Sequence, residues 1–215
     1  KVNDNDIRTF LMGSMFGAIL IQRGLTLMHG NALEKNGKTI VCLGLSGAGK
    51  STLAYALLQN GWKFISDDLV AINNEGYILR GIPRLKLWED CLNFFGINKT
   101  NLKPVRNNIN KYIYKPETKY LSKYNSKPSA FYVINRFSRK PNINLEDNIE
   151  PIKNEQIKFL YLRNNLYRPR FVRGLKKEAN LFIKLADLQK NVPVSFLNLP
   201  TKINSLMDLV KKIDL

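Results

Sequence analysis

The chain has one histidine, His29, and two cysteines, Cys42 and Cys91, among 215 residues. With so few ligands and no metal-like spacing, a zinc module or thiolate cluster is excluded. The same scarcity excludes a disulfide scaffold and fits a reducing, cytoplasmic setting. Acid is also scarce: 17 Asp and Glu stand against 34 Lys and Arg, a formal charge of +17. Long apolar runs are missing too. Residues 10–22 are apolar but too short to span a bilayer and lack a cleavage-site pattern beside them, so they read as a buried amphipathic helix. The sequence starts at Lys1 rather than Met, which suggests that the native N-terminus is missing. No internal repeat or interdomain linker is visible, so residues 1–215 read as a single domain able to bury a sizeable core.

The positive charge is uneven. Between residues 99 and 140 the only acid is Glu117, against a dense series of lysines and arginines that includes Lys103, Lys111, Lys119, Arg136 and Arg139. A second basic run holds Lys158, Arg163, Arg168, Arg170, Arg173, Lys176 and Lys177. Such fields suit attraction of a nucleotide and an acidic substrate, a nucleic-acid surface, or simply a solvated face. Tyr112, Tyr114, Tyr120 and Tyr124 interleave with the first run as base-stacking residues do. Their irregular spacing suits packing under lysine stems equally well.

What the chain does have is a full G-x-x-x-x-G-K-[ST] motif. Residues 44–52 read GLSGAGKST and follow the apolar run Thr39-Ile40-Val41-Cys42-Leu43. A strand, a glycine-rich turn and a helix is the context in which this motif cradles phosphates. Gly44, Gly47 and Gly49 permit backbone angles at which the N–H groups across Leu45, Ser46 and Ala48 converge on phosphate oxygens. Lys50 brings an ammonium to the outer phosphates, and Ser51 offers a hydroxyl to Mg²⁺. Thr52 continues the helix whose N-terminus faces the anion. A nucleoside triphosphate, with ATP and Mg²⁺ as the working pair, is the expected ligand.

The second motif narrows the chemistry. Asp67 and Asp68 end the strand predicted over residues 62–66, where a carboxylate lies beside Ser51 and can hold Mg²⁺ directly or through water. Adjacent residues on an extended chain point in different directions, so one carboxylate can serve the metal while the other acts as general base. A turn or helix cap is the alternative use of such a pair. His29 lies in Leu27-Met28-His29-Gly30, at a strand-to-turn transition. It reads either as a structural histidine or as one that orients a carboxylate.

The remaining elements alternate between strand and helix. Helical spacing covers residues 7–20, strands are expected at 25–28, 32–34 and 39–43, and a helix follows the glycine-rich turn until Gly61. Residues 69–73 and 77–79 form a hairpin across Asn73-Asn74-Glu75-Gly76, and a short helix follows Arg84-Leu85-Lys86-Leu87-Trp88. Residues 98–128 read as a mobile loop or small insertion. A strand at 130–134, helices at 155–163 and 171–190, a strand at 192–197 and a helix at 203–213 complete an α/β pattern.

His29-Gly30-Asn31-Ala32, then GLSGAGKST, then FISDDLV over residues 64–70 resembles the kinase domain of HPr kinase/phosphorylase. It is most similar to the short HPr-kinase-like proteins found beside lasso-peptide and related peptide-modification genes. GIPRLKLWED over residues 81–90 and NVPVSFLNLP over 191–200 extend the likeness, which covers roughly residues 10–97 and 130–213 and leaves the basic middle unexplained. The resemblance implies a fold like the P-loop nucleotide-binding core of phosphoenolpyruvate carboxykinase and transfer of the ATP γ-phosphate to a hydroxyl. It implies catalytic roles for His29, Lys50, Asp67 and Asp68, metal contacts from Ser51, Asp67 and Asp68, and basic substrate-loop residues near Arg168, Arg170 and Arg173. Thr52 stands where HPr kinase/phosphorylase carries an acid, which favours a one-way kinase over the reverse phosphorolysis. Arg84 and Lys86 are further candidates for holding an anionic substrate, whereas Trp88 reads as core.

Three classes of function are compatible with these residues. The first is a serine kinase for a peptide or protein, acidic in character or a ribosomally made precursor. The second is a small-molecule kinase of the same fold acting on a hydroxyl metabolite. The third is a nucleotide-dependent regulatory module that touches nucleic acid. No membrane span is expected, and an oligomer is compatible with the sequence.

Overall fold

The computed structural model describes residues 4–106, 108–134, 148–200 and 202–213. Arg136 and Arg139 of the first basic run lie outside the described residues. The chain opens with helix α1 (Asp4–Phe10), one π-helical turn over Leu11–Met15, and α2 (Phe16–Gln22). Strands β1 (Thr26–Met28), β2 (Gly30–Lys35) and β3 (Lys38–Leu43) follow, then helix α3 (Lys50–Gln59), β4 (Lys63–Asp67), β5 (Val70–Ile72) and β6 (Ile78–Leu79). Next come β7 (Leu85–Trp88), α4 (Glu89–Phe94), β8 (Lys103–Pro104), β9 (Lys111–Tyr114) and β10 (Ala130–Ile134). The last part holds β11 (Ile149–Pro151), α5 (Glu155–Asn164), α6 (Pro169–Gly174), α7 (Glu178–Asn191), β12 (Val194–Leu197) and α8 (Ile203–Ile213).

A mixed six-stranded sheet runs in the order β11-β12-β10-β3-β2-β4. Its centre is parallel, with β3 beside β10 and β10 beside β12, while β2 runs antiparallel to both β3 and β4. The apolar run that forms β3 is buried on both faces, as a central strand of such a sheet must be. Its residues alternate between two cores. Ile40 and Cys42 pack with α3 and α8, whereas Val41 and Leu43 pack with Leu162 of α5 and Leu185 and Leu188 of α7. The sheet is therefore covered by helices on both faces, and the ends of β3 and β4 deliver their loops to one edge.

Two local features fix that edge. Gly61, at φ 85°, closes α3 in the left-handed conformation and turns the chain into β4. Gly30 lies so close to β3 that a Cβ there would sit 2.5 Å from the Cys42 carbonyl oxygen, so no larger residue fits beside His29.

Several sequence-based expectations change. The N-terminal segment is helical, but most of its apolar side chains are not buried: Phe10 is 56% and Phe16 50% exposed, while Ser14, Gly17 and Ile21 are buried and Leu20 packs beside Ile21. Its inner face is narrow because Gly13 and Gly17 rest against the Tyr167 ring. Of the two readings of residues 98–128, a mobile loop or a small insertion, the segment's secondary structure fits the insertion. It contributes β8 and β9, which pair with β7 in the order β7-β9-β8, and Tyr112 and Tyr114 pack on the α3 core. Trp88 is surface rather than core, 41% exposed. The helix expected over residues 171–190 is broken between α6 and α7, where Lys176 takes φ 53°. Strand β11 has no counterpart in the sequence reading. Among the described residues no helix is long and apolar enough to cross a membrane.

Candidate functional site

The turn from β3 into α3 carries three residues of positive φ: Gly44 at 148°, Gly47 at 77° and Gly49 at 104°. A side chain at these angles would be strained, so the glycines let the turn close tightly over the helix N-terminus. Ala48 N–H donates to the Leu45 carbonyl at 3.1 Å, while among the described residues the N–H groups of Ser46, Gly47 and Gly49 donate to no backbone carbonyl. Lys50 is buried, and its Nζ donates to the carbonyls of Gly44 at 2.7 Å and Leu45 at 3.0 Å. Burial pulls its pKa down to about 8, although Asp67 and Asp68 draw it upward. Among the described residues, a buried cation held by carbonyl oxygens beside N–H groups with no backbone acceptor is a receptor for an anion.

Across from this turn, β4 ends at Asp67 and the chain bends sharply at Asp68, whose φ is 70°. The two carboxylates have different partners. Asp67 Oδ2 accepts the backbone N–H of Lys86 at 2.9 Å, and Asp68 Oδ2 accepts the Lys86 ammonium at 2.7 Å. Burial, then the neighbouring Asp68, push the Asp67 carboxyl up to about 6. Burial would raise Asp68 as well, yet the Lys86 ammonium holds it below the ordinary carboxylate value. Lys86, with a side chain only 11% exposed, is thus engaged as the partner of Asp68.

His29 stands beside Asp68. Its Nδ1 lies 3.1 Å from the Asp68 carbonyl oxygen and 3.7 Å from Oδ1. A carbonyl only accepts, so Nδ1 carries the proton and Nε2 is left with a free lone pair. Burial and the Lys50 charge lower the His29 pKa, which keeps the ring neutral at physiological pH. The His29 N–H donates to the Asn165 carbonyl at 2.7 Å, so the α5–α6 connection fixes its backbone.

One cavity of about 410 Å³ joins these groups. It is lined by Ser46, Gly47, Gly49, Lys50, Ser51 and Thr52 on one side and by His29, Asp67 and Asp68 on the other. Gly44, Leu45 and Ala48 build the turn behind it. Among the described residues no cluster of three or more His, Cys, Asp or Glu is placed to hold a metal ion. Ser51 and the two aspartates still line the same space, a donor set suited to Mg²⁺, which uses one or two carboxylates, substrate phosphates and water.

Trp88, Asp90 and Lys111 also line the cavity. Trp88 and Lys111 are cross-strand partners on β7 and β9, with the Lys111 ammonium 5.3 Å from the centroid of the Trp88 ring. Lys111 is in no ion pair among the described residues, and burial lowers its pKa. The sequence offered Lys111 only as one lysine in a basic run. Asn31 was also missed: its Nδ2 donates to the Lys50 carbonyl at 2.8 Å, tying β2 to the first turn of α3. A buried amide two residues after His29 was the available signal.

The arginine candidates scatter. Arg168, at φ 47°, places its guanidinium 5.6 Å from the centroid of the Tyr167 ring, and Tyr167 in turn lies 6.1 Å from the His29 ring. Arg170 and Arg173 sit exposed on α6, with Arg173 Nε 4.0 Å from Glu178. Neither these three nor the half-buried Arg84 lines the cavity.

No protein-family model matches the chain, and no curated protein matches it in sequence. Among solved structures it is similar to the Hpr(Ser) kinase/phosphatase from Coxiella burnetii. The identity is 15%, over 87% of this chain and 95% of that one, with a TM-score of 0.36. A likeness so distant decides nothing about activity, which has to be argued from the cavity.

Proposed function

We propose that the protein is an ATP-dependent kinase that moves the γ-phosphate to a hydroxyl, the serine of a peptide or protein. The observation that carries this reading is the single cavity that brings Lys50 and the Gly44–Thr52 turn to face Asp67, Asp68 and His29. The N–H groups of the turn and Lys50 hold the phosphates, with Lys50 trading carbonyl oxygens for β- and γ-phosphate oxygens. Ser51 and Asp68 would hold Mg²⁺, which when bound would neutralise charge on the phosphates. Asp68 suits that task because Lys86 keeps it ionised.

Asp67 is the base. A carboxyl near 6 is ionised at neutral pH yet more basic than an ordinary aspartate, which is what proton abstraction from a hydroxyl needs. As the acceptor oxygen bonds to the γ-phosphorus, its proton passes to Asp67 and the bond to the β,γ-bridging oxygen breaks, releasing ADP. His29, neutral and anchored on the Asp68 carbonyl, positions the acceptor segment through Nε2, while the hydroxyl proton itself is directed to Asp67. Lys111 adds a second cation to the lining of the same cavity as Lys50, where charge on the transferred group can meet it.

The test is transfer of label from γ-labelled ATP with Mg²⁺ to a panel of serine-containing acidic peptides and small hydroxyl metabolites. Label on a peptide that disappears with Asp67→Asn supports the reading. Label on a metabolite alone moves the acceptor to the small-molecule class. ATP binding with no transfer to any acceptor sinks the kinase.

A further inference from the structure

Outside the cavity, an unexplained groove of about 750 Å³ lies between α5, α6 and α7. Its floor is apolar, built from Phe159, Leu166, Val172 and Leu185, and its lip is Phe182, 60% exposed and 5.0 Å from the Phe159 ring. Ile183 and Leu160 extend exposed apolar surface beyond it. Leaving such a strip in water is unfavourable unless something covers it.

Charge identifies what covers it. Residues 155–177 carry seven lysines and arginines against Glu155 alone. Arg163 and Arg173 line the groove itself, with Glu178 offsetting part of the Arg173 charge at 4.0 Å. An apolar floor under a cationic rim complements a segment that is apolar on one face and acidic around it.

Position identifies its purpose. Leu166 lines the groove, and the residue before it, Asn165, holds the His29 N–H at 2.7 Å. Leu166 also bridges Met28, and Tyr167 lies beside the His29 ring. One short strap thus separates the groove from the catalytic cavity, a span that a few extended residues at about 3.3 Å each would cover.

The geometry points to a docking groove for an acidic, amphipathic segment of the peptide substrate, next to its acceptor serine. This inference rests on the kinase reading and adds the substrate's character to it. A second copy of the chain is a poor occupant, because each copy carries a formal charge of +17 and the arginines of the groove would face themselves across a two-fold interface.

The test selects phage-displayed random 16-residue peptides, each with a serine fixed near one end, on the full chain. Enriched peptides are then measured against Phe182→Glu and Arg163→Glu/Arg173→Glu proteins. The expected result is enrichment of peptides that combine apolar residues at helical spacing with Asp or Glu, with affinity at least tenfold weaker for both variants. ATP binding and melting temperature of the variants should match the unmodified protein, since all three positions are exposed. No enrichment, enrichment of basic peptides, or equal binding to the variants overturns the groove. So does a dimer, seen by sedimentation, that either variant dissolves. If the selected peptides bind in the groove but no acceptor of any class receives label from γ-labelled ATP, the kinase reading fails and the groove remains only as a peptide-binding site without a substrate role. If label reaches a peptide whose binding ignores both variants, the groove fails alone.

Discussion

Replacing Asp67 with Asn should stabilise the ligand-free protein at neutral pH and abolish transfer. The Asp67 carboxyl is raised from 3.8 to about 6. At about 1.4 kcal/mol per pH unit, that gap corresponds to roughly 3 kcal/mol against the ionised form in the fold. The folded state holds this proton more tightly than the unfolded chain does. Its favourable contribution is therefore full below about pH 4 and is lost as pH climbs through about 6. At pH 7.5 the fold carries an ionised, buried carboxylate that it would be more stable without. Asn removes the charge, relieves repulsion with Asp68, and keeps an oxygen to accept the Lys86 N–H that now lies 2.9 Å from Oδ2. A chain of 215 residues gains about 2–4 °C per kcal/mol, so the melting temperature should rise by roughly 5 °C or more at pH 7.5 and hardly at all at pH 4. Thermal unfolding at pH 4, 5, 6 and 7.5, without Mg²⁺ or nucleotide, measures this directly. A gain independent of pH, or a loss at pH 7.5, would refute the argument that burial sets the Asp67 pKa.

Asp68→Asn should do the opposite. It strands the Lys86 ammonium, and stability at pH 7.5 should fall by about 1–3 kcal/mol in denaturant titrations, with the deficit shrinking as pH drops below the ordinary carboxylate range. The pH profile of kcat/KM should be a bell, rising through about 6 as Asp67 loses its proton and falling above about 8 as Lys50 loses its own. A profile flat across either limb contradicts that role. Lys111→Met should cut kcat/KM by roughly tenfold or more while sparing the melting temperature, because the ammonium is in no ion pair among the described residues. Unchanged kinetics would show that Lys111 only packs on Trp88.

What the sequence made legible is local. The run of β3, the glycines of the following turn and the helix after it are contiguous, so pattern and turn chemistry identify them without tertiary information. Asp67 and Asp68 are legible for the same reason, since they end a strand. Lys111 and Trp88 were not, because a pairing of β7 with β9 brings together residues 23 apart in a segment with little apolar patterning. Nor does periodicity reveal that Gly13 and Gly17 admit Tyr167 and leave Phe10 and Phe16 outward. The break between α6 and α7 rests on one left-handed lysine, Lys176, a residue type that gives no warning of it.

The difference between the two aspartates follows from backbone geometry. Had the strand continued regularly, Asp67 and Asp68 would point to opposite faces, and one would leave the cavity. The left-handed angle at Asp68 breaks that alternation, so both carboxylates line the same space. Two like charges so placed cannot be equally comfortable, and β7 resolves the conflict unevenly. Lys86 gives its ammonium to Asp68 and only its N–H to Asp67. One residue therefore keeps Asp68 ionised while burial leaves Asp67 weakly acidic. This separation of a fixed anion from a titratable base is what phosphoryl transfer to a hydroxyl requires. It also explains why Lys86, a plausible substrate cation in the sequence, is instead engaged by the two carboxylates. Lys86→Met, which keeps the backbone N–H but removes the ammonium, should then raise the Asp67 limb of the pH profile less than it raises the pKa of Asp68, a divergence that titration of the two carboxylates by NMR can read. Equal movement of both would mean that the two sites share one environment and that their division of labour is wrong.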